Sequence, residues 1–229
     1  MALIPLIGYV GKTPVSVQYI RCEVPGARAL ILYQNPLFST SLLRFYCSGG
    51  LLASSNTTVA VIGCSIYGNN CTASGDFMFG GGIAAVWRAN VVLDRNSSVC
   101  NNRAAFGGGL SALHNASMTL TGGTNVFNNT AVLGGGGISV GVRYDHLDRA
   151  DMPWFLSKPV VTAVMLTGGS SVHNNSATSR LGGAGMDVMW GGFATLTGGS
   201  SVHSNGSRGP GGGLHCLMVH VSPSATTAP

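Results

Sequence analysis

The chain has 229 residues, with 12 lysines and arginines against 7 acids for a formal net charge of +5. Charged residues make up only 8% and hydrophobic residues 45%, which argues against a charged disordered polymer. The cations are scattered and nowhere interleaved with aromatics, which argues against nucleic acid as a partner despite a computed pI near 9.1.

Glycine, at 35 residues, is about twice as frequent as in an average domain, so the composition points to an ordered fold rich in tight turns. The opening MALIPLIGYVGK is apolar but has no basic residues before it and no small-residue cleavage site, so it makes a poor signal peptide. No apolar run approaches the ~20 residues of a transmembrane helix. VSVQYIRCEV, residues 15–24, alternates like a strand, and SGGLLA, residues 48–53, looks like a glycine corner followed by a strand. Residues 1–56 are expected to form irregular coils or a cap, because an open sheet edge invites association.

From residue 57 to 221 one unit recurs. Its first half reads VIGCSIYGNN (61–70), LDRNSSVCNN (93–102), LTGGTNVFNN (120–129), LTGGSSVHNN (166–175) and LTGGSSVHSN (196–205). Each block is followed by a glycine corner and a short strand: FGGGIAAV, FGGGLSAL, LGGGGISV, LGGAGMDV and PGGGLHCL. The period is 27 residues from Leu93 to Leu120 and 30 from Leu166 to Leu196; an insertion at 142–159 stretches the intervening copy to 46. A period of this length marks a stacked array. Runs of four to six residues between glycines are too short for helices, so the expected fold is all-β: a right-handed parallel β-helix of about five coils, each of three short strands.

Stacking would align three inward rows: Ile83, Leu110, Ile138, Met186 and Leu214; Ile66, Val99, Val126, Val172 and Val202; and Ile62, Leu93, Leu120, Leu166 and Leu196. Asn69, Asn102, Asn129, Asn175 and Asn205, each three residues after an aliphatic, would form a carboxamide ladder at one corner, where asparagine tolerates a left-handed backbone. Residues 222–229, within VSPSATTAP, read as a flexible tail.

Paired GGx-aliphatic and x-x-x-Asn motifs of this kind resemble the GGA[ILV] and FxxN repeats of chlamydial polymorphic outer-membrane proteins and related algal and microbial surface proteins. The resemblance covers about residues 57–221. It departs in placing Val or Ile where that family has an aromatic, in a third glycine where it has Ala (GGAG at 182–185 excepted), and in lacking a block of amphipathic barrel strands. It implies a β-helix that is secreted or displayed at a cell surface, structural or adhesive rather than catalytic, with surface glycans or other proteins as partners. The alternative is a carbohydrate-active β-helix enzyme of the pectate-lyase kind, or a polysaccharide-binding module.

The remaining candidates each have a plainer reading. N-x-[S/T] triplets at Asn56, Asn70, Asn96, Asn115, Asn128, Asn174 and Asn205 are candidates for N-glycosylation in an exported protein, although a chain rich in Asn, Ser and Thr generates them by chance, and a glycan at Asn205 conflicts with its ladder role. The insertion carries Asp145, His146, Asp148, Arg149 and Asp151, a candidate cation or carboxylate site that reads better as a solvated loop, since no stacked acid faces it; Asp187 is the sole acid on a repeated strand. His173 and His203 share a register with Phe127, Cys100 and Tyr67, which suits a tolerant surface row better than a metal site. Cys22, Cys47, Cys64, Cys71, Cys100 and Cys216 show no zinc spacing. They are disulfide candidates, with Cys64 and Cys71 the closest pair, or small buried apolar residues. GGGG at 134–137 lacks the Lys and Ser/Thr of a phosphate loop. No catalytic residue, cofactor or metal is expected.

Overall fold

Short apolar runs punctuated by glycine leave backbone donors and acceptors that only neighbouring copies can satisfy. A computed structural model shows them doing so. It describes residues 50–54, 57–71, 79–141, 161–179, 182–208 and 211–216, together with the backbone of five strands between Ala2 and Ile31. The repeated strands form four stacked parallel sheets, a β-solenoid.

The leucine sheet holds Thr58–Ile62, Asn90–Asp94, Ser117–Leu120, Thr162–Leu166 and Gly192–Leu196. The valine sheet holds Cys64–Tyr67, Ser98–Cys100, Asn125–Phe127, Ser171–His173 and Ser201–His203. The corner sheet holds Leu51–Ala53, Ile83–Ala85, Leu110–Ala112, Ile138–Val140, Met186–Val188 and Leu214–Cys216. A further short sheet, of Asn70–Cys71, Arg103–Phe106, Thr130–Gly134, Ser176–Ala177 and Gly206–Ser207, makes each turn four-stranded rather than three-stranded. Among the described residues no helix is long and apolar enough to cross a membrane.

The valine and corner rows stack in the expected register, and Val99, Val126, Val172, Ile83, Leu110 and Ile138 are fully buried. Each such side chain contributes about 1.5–3 kcal/mol. The leucine row differs at its start: Leu93 lies opposite Val61, and Ile62 pairs with Asp94. The cause is a turn one residue shorter. Later copies turn through two successive left-handed residues (Arg95–Asn96, then Gly122–Gly123, Gly168–Gly169 and Gly198–Gly199), whereas the first copy uses Gly63 alone.

From Asn102 onward, each ladder carboxamide oxygen accepts two bonds from the asparagine one coil earlier. Asn102 donates its backbone N–H and Nδ2 to Asn129 Oδ1 at 3.0 and 3.1 Å, and Asn129 does the same to Asn175 at 2.9 and 3.0 Å. The second Nδ2 hydrogen returns to the carbonyl of the preceding valine strand, as from Asn129 to Val99 O at 2.8 Å. The left-handed position belongs to the residue before each ladder asparagine (Gly68, Asn101, Asn128, Asn174 and Ser204), not to the ladder residue itself. The third corner glycine closes over this arrangement: a Cβ on Gly109 would meet Gly137 O at 2.7 Å and both Asn129 Nδ2 and Val126 Cγ1 at 2.9 Å. Gly109→Ala should therefore cost about 1–3 kcal/mol through overpacking, read as a lowered denaturant midpoint with unchanged slope.

The four inner strands of the corner sheet, from Ile83–Ala85 to Met186–Val188, are buried on both faces. Their outer face lies under a second cluster that includes Phe79, Phe106, Val86, Leu113 and Met189, with Phe79 and Phe106 stacked at 5.3 Å. Beside this cluster His114 stacks on Trp87 at 4.4 Å, is 3% exposed, and is pushed down by burial to a pKa of about 4. The unfolded chain therefore binds a proton that the folded one refuses: stability is complete above pH ~6.5 and declines toward pH ~4, by about 3 kcal/mol in total. His114→Asn, which tolerates the local left-handed backbone, should flatten that slope in pH-dependent urea melts.

Cysteine usage differs from the nearest-pair expectation. Cys64 is disulfide-bonded, Cys71 is free and buried, and the strand register sets Cys22 opposite Cys64. Cys100 is also free and buried, its thiol pushed up by desolvation. Cys216 is free and exposed, against the reading of it as a small buried residue.

Candidate functional site

In a strand such as Ser171–His173 the middle residue faces the core and its neighbours face out. Stacking therefore builds two parallel rows on the outside of the valine sheet. One is polar: Ser65, Ser98, Asn125, Ser171 and Ser201. Within it Ser98 Oγ donates to Ser65 Oγ at 2.7 Å, and Ser171 Oγ to Asn125 Oδ1 at 2.6 Å. The other row runs Tyr67, Cys100, Phe127, His173 and His203.

Phe127 and His173 stack at 5.4 Å and 4°, and His173 and His203 at 5.3 Å and 5°, so three rings lie almost parallel on successive rungs. Partial burial first, and His203 second, hold His173 below the ordinary imidazole range. The His173 imidazole thus favours its neutral form within the stack. Nδ1 of His203 sits 3.1 Å from Ser204 Oγ. Among the described residues no group of three or more His, Cys, Asp or Glu could hold a metal ion.

The triplet asparagines Asn70, Asn96, Asn115, Asn128 and Asn174 are exposed. Asn128 and Asn174 immediately follow Phe127 and His173, at the margin of the ring row. Asn205 is half-buried, and its Nδ2 donates to Val172 O at 3.0 Å, which occupies the atom a glycan would need. Expression through a secretory route should therefore leave glycosidase-sensitive mass on peptides containing Asn128 or Asn174 and none on those containing Asn205. Asn56, the 142–159 insertion with its Asp145, His146, Asp148, Arg149 and Asp151, and the tail at 222–229 lie outside the described residues.

No family model, curated protein or solved structure matches the chain. What the site can do rests on its own chemistry.

Sequence reasoning passed over one constellation. Asp187, 1% exposed, pairs with His215 Nδ1 at 2.8 Å across the last described rung. The signal was present: both residues follow the inward Met186 and Leu214 in register. Ser139 lies opposite Asp187 on its other side, giving a row of Ser, Asp and His. That order places the acid in the middle, with Ser139 and His215 two strand spacings apart, about 10 Å. The imidazole therefore cannot take a proton from that hydroxyl, and the row does not form a nucleophilic triad.

Proposed function

We propose that this chain is a non-enzymatic structural and adhesive module of a secreted or cell-surface protein, a right-handed β-helix whose outer valine-sheet face makes the contacts. The observation that carries this reading is the character of that face. A bonded hydroxyl and carboxamide row runs beside three parallel stacked rings. The edges of such a stack, with short polar groups alongside, suit sugar rings or an extended peptide, which present apolar patches edged by hydrogen-bonding groups.

Catalysis of the polysaccharide-lyase or glycosidase kind needs acids converging from neighbouring strands. The two described acids, Asp94 and Asp187, sit in different sheets, and Asp187 is buried. Right-handedness is supported by the usual hand of parallel crossovers. Export is supported by the disulfide at Cys64, by the exposed triplet asparagines, and by the resemblance to surface repeat proteins.

The test is retention on immobilised neutral polysaccharides and on microbial cell surfaces, wild type against Phe127→Ala and His173→Ala. Both substitutions lie outside the core, so melting should hold while retention falls about tenfold. Retention that ignores both rings would remove the face from the reading, and release of cleaved sugar from polygalacturonate would replace it with the enzyme.

A further inference from the structure

The interface between coils ends on a rim that carries no further coil among the described residues. Leu166 and Met186 are fully buried, yet Leu196 and Leu214, the next members of their rows, are 38% and 48% exposed. The same rim carries the donor end of the asparagine ladder. Every ladder asparagine from Asn69 to Asn175 donates forward to the next Oδ1. Asn205 keeps its bond back to Val172 O and, among the described residues, makes no forward one.

At the other end Asn69 Oδ1 is the leftover acceptor, buried without a partner. There Ile20–Cys22 and Ala29–Ile31 lie antiparallel against the first coil. The ladder thus has a direction: acceptor at the covered end, donors at the open one.

We propose that the open rim docks one further parallel coil of the same chemistry. Its asparagine would bring a carboxamide oxygen to the N–H and Nδ2 of Asn205, and the aliphatic residue three positions earlier would cover Val202. The argument is continuity, since each described junction is built from this same pair of contacts. It also selects the occupant. A second copy meeting the rim tail to tail would set Asn205 donors against donors. A second copy stacked head to tail would meet the antiparallel strands instead of an open coil. The occupant is therefore an asparagine-bearing β-segment added to the sheet edges, and this inference stands apart from the lateral-face reading.

The experiment adds a labelled synthetic peptide copying residues 166–191 to the full chain and follows fluorescence anisotropy. Saturable binding is expected, weakened about tenfold by Asn175→Leu in the peptide, which removes the acceptor. Leu214→Arg in the protein, at an exposed position, should weaken it similarly while the melting temperature holds. Absence of saturable binding, or equal binding of the two peptides, overturns the proposal. So does a concentration-dependent dimer of the full chain abolished by Leu214→Arg, which would make a second copy the occupant.

Discussion

Val172→Asp should leave the chain without a cooperative folding transition. The side chain is fully buried between Val126 and Val202 in register, and a Cβ on Gly137 would meet its Cγ1 at 2.7 Å, so no slack exists for a carboxylate to turn outward. The surrounding rows are aliphatic and supply no cation. An unpaired buried charge costs several kcal/mol after relaxation, a large share of the 5–15 kcal/mol that holds a typical domain together. In a stacked array the loss spreads, because each coil is stabilised through its neighbours. Val202→Asp is the internal comparison: Val202 is half-buried at the rim, where a carboxylate reaches water, so its cost should be about 1–2 kcal/mol. Far-ultraviolet circular dichroism and thermal melts of the two variants measure the contrast. A soluble Val172→Asp protein with an unchanged melting temperature contradicts the core described above.

Much of this core was legible because a repeat turns register into a text. Once one Val–Asn spacing is fixed, identical spacings in the other copies fix every rung, and the rows through Val99 and Leu110 follow. The failures have local causes. Ile62 was misplaced because the first turn is one residue short at Gly63, which slides that end of the strand. The fourth strand of each turn went unseen because runs such as Arg103–Phe106 and Ser176–Ala177 are too short and too uneven to alternate; Ala104 and Phe106 even straddle a register shift. Double burial of the corner sheet went unread because its cover comes from residues that flank the strand triplets, Phe79 and Phe106 ahead of the glycine corner and Met189 after the strand. The exposed ring row was visible only as a tolerant column. That Phe127, His173 and His203 stack in parallel needs the rungs to lie squarely over one another, which spacing alone does not show.

The last and most diagnostic expectation concerns Asn129, fully buried at the middle of the ladder. Asn129→Leu keeps the volume nearly constant but removes an acceptor that takes two bonds from Asn102 and a donor that serves both Asn175 Oδ1 and Val99 O. The backbone N–H of residue 129 can still reach Asn175 Oδ1, so the damage falls on the Asn102 donors and the Val99 carbonyl. At about 1–3 kcal/mol for each buried group left unsatisfied, the expected loss is on the order of 3–6 kcal/mol. Asn129→Asp separates the two halves of the residue. Its carboxylate still accepts from Asn102, but an oxygen now takes the place of Nδ2, against Asn175 Oδ1 and Val99 O. Protonation of that carboxylate relieves the conflict by restoring a donor, so the Asp variant should gain stability relative to the wild type as pH falls, the comparison at each pH cancelling the His114 proton uptake that both proteins share. The Leu variant should show no such gain. Urea melts of both variants across pH decide the matter: equal pH dependence would mean that bulk alone, and not the direction of the carboxamide, holds the rungs in line.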